Sequence, residues 1–169
     1  MIQFDTLLAS ENKDAVGIQG NIANSGVIGN DFFQKYIYDY EKKHADAIHQ
    51  AGSFTVYHNC GKAKVLQKSY VKMGLTAWET IAEDPQGDSN LAEAKRDVGG
   101  EIVLIGNIDQ VNFIKQASIE EIRTGAEEIV HIGKTGGKYI FACSDFLEKD
   151  TPLENVKAAI DAAKACGAY

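Results

Sequence analysis

Five short apolar stretches, each followed by a segment of helical periodicity, constrain this chain more than any other feature of its sequence. The stretches are DAVGIQGN (14–21), SFTVYHN (53–59), LTAWETIA (75–82), EIVLIGN (101–107) and KYIFACS (138–144). Segments 32–50, 62–74, 91–99, 118–133 and 151–167 repeat apolar residues at the three-and-four spacing of an amphipathic helix. The opening residues 1–12 support one further helix. Strands apolar on both faces and alternating with helices predict βα units around a parallel sheet. Two architectures are built that way, the doubly wound open sheet and the (β/α)8 barrel. No G-x-G-x-x-G follows the first strand, which weighs against a dinucleotide site. The run GKTGGK (133–138) precedes a strand and lacks phosphate-loop spacing, so it reads as a helix C-cap and turn.

Local punctuation agrees with these boundaries. Asn30 or Asp31 is available to cap the 32–50 helix, Gly52 lies just past its end, and Gly74 stops the next one. Ser118-x-x-Glu121 is a capping box, and Thr151-Pro152 predicts an N-cap followed by proline in the first turn.

The chain has 169 residues, 44% of them hydrophobic, enough for one domain with its own core across 1–169. A net charge of −7 and a pI near 5.1 argue against nucleic acid or an anionic membrane as partner. With no run of about 18 apolar residues and no leader-like start at Met1, the expectation is a cytoplasmic protein. Three cysteines do not make a disulfide framework, which leaves metal binding, catalysis or burial.

Chemistry-bearing residues stand where the strands end: Gln19 and Asn21, His58 and Cys60, Glu79, Asn107 and Asp109, Cys143 and Asp145. In parallel α/β folds the carboxyl ends of the strands share one crevice. His58 and Cys60, two apart, leave an extended strand on the same side, and imidazole and thiolate are preferred zinc ligands. Cys143 and Asp145 repeat that spacing, and Glu79 lies between the pairs in sequence. Blander readings stand beside these. Cys60 can be a buried thiol beside a hydrogen-bonded histidine, Asp109 a cap, and Cys166 core packing. His44, His49 and His131 fall in helical patterns and read as structural or solvated, as does the acidic stretch around Glu120, Glu121, Glu127 and Glu128. Trp78, Tyr36, Tyr38 and Tyr40 read as packing.

The segments HNCGKAKVLQKSYVKMG, GDSNLAEAK, EIVLIGNID and GGKYIFACSDFLEKDTPLENVKAAIDAA, in that order, resemble the uroporphyrinogen decarboxylase family from about residue 14 onward. The resemblance implies a (β/α)8 TIM barrel, of which about five βα units are present, corresponding to its carboxyl-terminal part. It implies, in the methyltransferase branch, zinc held by His58, Cys60 and a third residue whose usual position falls on Asp145, with Cys143 two residues earlier. Glu79 is a positional candidate for the glutamate ligand of distantly related methionine synthases. Asn107 and Asp109, in GNID, are expected to face the crevice and position substrate. The activity implied is corrinoid-dependent methyl transfer, in which a zinc-activated small thiol accepts a methyl group from a methylcobamide, with a corrinoid protein as partner. A metal-free carboxy-lyase of the porphyrinogen type, or a non-catalytic half-barrel subunit, are the other readings. Five strands cut from a barrel leave two open edges, so a homo-oligomer or pairing with an amino-terminal half is expected.

Overall fold

The computed structural model describes residues 1–168. The elements in chain order are α1 (Ile2–Ser10), β1 (Ala15–Gln19), α2 (Asn30–Phe32), a π-helical turn (Phe33–Ile37), α3 (Tyr38–Gln50) and β2 (Phe54–His58). A 3-10 turn (Lys64–Leu66), α4 (Gln67–Lys72), β3 (Ala77–Ile81), α5 (Leu91–Asp97) and β4 (Val103–Ile108) follow. A second π-helical turn (Gln110–Ile114), α6 (Ile119–Lys134), β5 (Tyr139–Cys143) and α7 (Leu153–Cys166) complete the chain.

The strands form one parallel sheet in the order β1-β2-β3-β4-β5. A doubly wound sheet reverses direction part-way and places helices on both faces. Strictly sequential order with right-handed crossovers places the helices on one face, as in a sector of a barrel. Burial follows this. Val16, Ile18, Tyr57, Trp78, Leu104 and Tyr139 form one cluster with Ala45 and Ile48 of α3, Tyr70 of α4, and Leu91 and Ala94 of α5. Ile108, Ile114, Ile122 and Ala126 form a second with Ala158, Ala159 and Ala162 of α7. The opposite face is open: β1 alternates exposed and buried residues, and Phe54 is 63% exposed and Ile140 53%. The apolar runs are therefore apolar on both sides although only one side is covered here.

Several boundaries differ from the sequence reading. The 32–50 helix begins at Asn30 behind Gly29, whose φ of 77 suits glycine, and neither Asn30 nor Asp31 caps it. The 62–74 segment opens as a 3-10 turn because Asp88, from a distant loop, accepts the Ala63 and Lys64 backbone N–H at 2.8 and 3.0 Å. Pro152, not Thr151, is the N-cap of α7, and the Thr151 hydroxyl donates to the Glu148 carbonyl. Tyr36 and Tyr40 are exposed rather than packed, while Trp78 is fully buried. The capping box at Ser118 and Glu121 is formed, and Gly136 and Gly137 turn the chain after α6. Among the described residues no helix is long and apolar enough to cross a membrane.

Candidate metal centre

His58 is the last residue of β2, and the three residues that follow decide what it can meet. Asn59 points into the core, fully buried, and donates to the Ala23 carbonyl at 3.2 Å and the Tyr70 hydroxyl at 2.9 Å. With Asn59 anchored inward, the alternation of an extended chain turns His58 and Cys60 to the other side. Gly61 follows at φ 81, a left-handed conformation that favours glycine and lets the chain leave the sheet directly after Cys60.

Strand register then sets His58 in a row across the open face. Gln19 pairs with His58, His58 with Glu79, Glu79 with Ile105, and Ile105 with Ile140. Thr80 follows Glu79 at φ 68 within an irregularity of the β3–β4 pairing. A β-branched residue there is strained, and such bulges re-aim neighbouring side chains. The Glu79 carboxylate lies 2.9 Å from His58 Nδ1. That bond fixes the ring and leaves Nε2 for a ligand, the arrangement a carboxylate imposes on metal-binding histidines.

Asp145, two residues beyond β5, completes the group. Ligand atoms of His58, Cys60 and Asp145 all lie within 4.8 Å of one another. Tetrahedral zinc holds N, S and O donors roughly 3–4 Å apart, so modest side-chain adjustment closes this set around one ion. Electrostatics favour the same reading. Burial pushes the Cys60 thiol up, and the neighbouring Asp145 carboxylate pushes it further. The hydrogen bond that His58 donates to the Glu79 carboxylate raises His58 above its ordinary value, against the opposing effect of burial. A thiol and a carboxylate facing each other without a cation disfavour ionisation, and a divalent ion reverses that. The adjoining cavity, about 380 Å3, is lined by His58, Glu79 and Asp145 together with Gln19, Thr80, Ile105, Ala142, Cys143 and Phe146, with no lysine or arginine. The Phe146 ring, 80% exposed, stacks on His58 at 5.9 Å between centroids.

The remaining candidates are not among the three converging ligand residues, although Glu79 and Cys143 line the same cavity. Cys143 pairs in register with Ile108 and packs against the cluster under α6 and α7, where burial raises its pKa. Glu79 meets His58 as a hydrogen-bond partner. Asn107 and Asp109 line a separate cavity of about 330 Å3 with Glu83, Asp84 and Ser144. Asn107 donates to Glu83 at 3.1 Å. Asp109 accepts the Val111 and Asn112 backbone N–H at 2.7 and 2.8 Å and so caps the second π-helical turn. Sequence reasoning missed the Phe146 stack and the buried His44–Asp5 contact at 2.7 Å, neither of which any spacing announces.

A profile of uroporphyrinogen decarboxylase (URO-D) matches residues 5–166. The chain belongs to the uroporphyrinogen decarboxylase family. It is 23% identical over 163 residues to the methylcobamide:CoM methyltransferase MtbA of Methanosarcina mazei, and 24% identical over 163 residues to the same-named enzyme of Methanosarcina acetivorans. Each match takes in 96% of this chain and 45% of the relative. A solved methyltransferase from Methanosarcina mazei superposes with a TM-score of 0.83 at 22% identity, over 99% of this chain and 46% of that one. Its TIM barrel identifies the five-stranded sheet as a barrel sector. This member of the uroporphyrinogen decarboxylase family thus spans less than half the length of the curated relatives it matches.

Proposed function

We propose that this chain carries the metal-binding half of a methyltransferase-type site, in which a small thiol accepts a methyl group from a methylcobamide carried by a corrinoid protein. The observation that carries the reading is the convergence of His58, Cys60 and Asp145 at one point, with Glu79 orienting the histidine. In this assignment His58 offers Nε2, Cys60 its thiolate and Asp145 a carboxylate oxygen, leaving a fourth position for the thiol substrate. A zinc ion held there would lower the pKa of that thiol from about 8.5, making the nucleophile available at neutral pH. Glu79 holds the imidazole in one orientation and tautomer. Ile105, Ala142 and Phe146 wall the cavity with apolar surface, which strengthens electrostatic interactions within it. An ion held by His58, Cys60 and Asp145 would present the deprotonated thiol as nucleophile, and a methylcobamide would supply the methyl group that it takes up.

The matching profile is named for a decarboxylase, so a carboxy-lyase is the second reading, and it requires no metal. Metal analysis of the purified chain separates the two. About one zinc per chain is expected, lost in Cys60→Ser and His58→Ala and retained in Cys143→Ser. Zinc unchanged by Cys60→Ser, or none in wild type prepared without chelators, refutes the assignment.

A further inference from the structure

The cavity that holds Asn107 lies between α5 and α6, beside the loops that follow β3 and β4. The described residues that line it are distinct from those that line the cavity at His58. Four of them carry carboxyl groups: Glu83 and Asp84 after β3, Asp109 after β4, and Glu128 on α6. Among the described residues, none that lines it is lysine, arginine or histidine, and none of the four carboxyl groups takes part in an ion pair.

The amide of Asn107 adds an independent requirement. Asn107 is 8% exposed and lines the cavity. Its Nδ2 donates to Glu83 at 3.1 Å, while its Oδ1 has no hydrogen-bond partner among the described residues. Turning the amide over would set that oxygen against the Glu83 carboxylate, so the orientation is fixed. Buried acceptors are nearly always paired, and an unpaired one beside a carboxylate calls for a donor that carries positive charge.

We propose that this cavity binds an aliphatic diamine or polyamine, with one ammonium group against Asn107 Oδ1 and Glu83 and a second met by the exposed Asp84 and Glu128.

The spread of the acidic groups selects an extended cation over a metal ion. Among the described residues, only His58, Cys60 and Asp145 bring three possible ligand atoms to one point, so the carboxyl groups here do not surround a single ion. A volume of about 330 Å3 suits a small organic molecule. Leu91, Phe113, Ile129 and Ile132 supply apolar wall for a methylene chain. An ammonium group carries three donors and no acceptor, so it can meet Asn107 Oδ1 and a Glu83 oxygen together. Asp109 directs its oxygens to the Val111 and Asn112 N–H groups and the Asn112 side chain, and so contributes charge without contact. The inference uses none of the zinc ligands and is independent of them.

Isothermal titration of the purified chain at neutral pH tests it, in about 0.15 M salt to screen diffuse attraction to a protein of net charge −7. The probes are putrescine and spermidine, with butylamine and magnesium chloride for comparison. Putrescine or spermidine should bind saturably, one per chain, and butylamine at least about fivefold more weakly. Asn107→Leu and Glu83→Gln should each weaken binding about tenfold or more, and the exposed Glu128→Gln about two- to fivefold. Glu120→Gln, exposed on α6 and outside the cavity, should leave binding unchanged. Glu83→Gln and Glu128→Gln decide the matter if the buried Asn107→Leu fails to fold. The absence of saturable binding by either polyamine overturns the proposal. Equal weakening by Glu120→Gln and Glu128→Gln overturns it as well, since only net charge would then be at work. Butylamine binding as tightly as putrescine refutes a two-ended cation, and magnesium binding that is lost in the same variants refutes an organic one.

Discussion

Glu41 should be destabilising above neutral pH, and replacing it should show how much. Its side chain, 18% exposed, lies under α1 with His44 Nδ1 at 3.8 Å, and burial pushes its carboxyl from 4.5 up to about 7. The folded state therefore holds a proton that the unfolded chain has released between those values. Protons bound preferentially by the folded state make stability fall as pH rises, so the contribution is present in full below about 4.5 and lost through about 7. At about 1.36 kcal/mol per unit, the penalty above pH 8 is on the order of 3 kcal/mol. Glu41→Gln removes the charge and nearly keeps the shape. It should stabilise the chain by about 2–3 kcal/mol at pH 8 and by little near pH 4. For a chain of this size that is a rise in Tm of roughly 5–10 °C at the higher pH. Calorimetry of both proteins at the two pH values, in one ionic strength, measures it. Equal gains at both pH values, or a loss at pH 8, would show that His44 compensates the carboxylate and that desolvation does not control it.

Three further outcomes test the packing and the caps. Gly133→Ala should destabilise by about 1–3 kcal/mol despite the better helix propensity of alanine, because the new Cβ meets the buried Tyr139 ring; urea denaturation reads the sign. Ser118→Ala removes the hydroxyl half of the capping box and should cost about 1 kcal/mol in the same assay. Asp109→Ala strips the cap from two backbone donors and should cost about 1–2 kcal/mol, whereas Asp109→Asn, which keeps an acceptor oxygen, should cost less than half of that.

The parallel sheet was legible because βα alternation leaves a strong periodic signal, and the sector of a barrel because of the family resemblance. His58 and Cys60 were legible because two residues at a strand end, two apart, share a side whatever the tertiary context. The choice between Cys143 and Asp145 was not. Parity places them alike only if the strand continues through both, and β5 ends at Cys143. Cys143 takes the helix side, and the chain beyond it brings Asp145 back to His58 and Cys60. Asn107 and Asp109 were placed at the right end of the sheet, but they line a cavity separate from the one that holds His58. The cap that Asp88 gives to a helix start 24–25 residues earlier lies beyond any local pattern.

Sequential strand order also bears on how the molecule comes together. Every strand hydrogen-bonds only to strands adjacent to it in the chain, so each pairing closes a loop no longer than one strand–helix unit. The entropy lost in such closures grows only logarithmically with loop length, and short separations between contacting residues favour rapid folding. No strand of this sheet must insert between two that have already paired. A nascent chain emerging from the ribosome amino terminus first can therefore lay down β1 to β5 in the order of synthesis, each strand docking on the edge its predecessor has just presented.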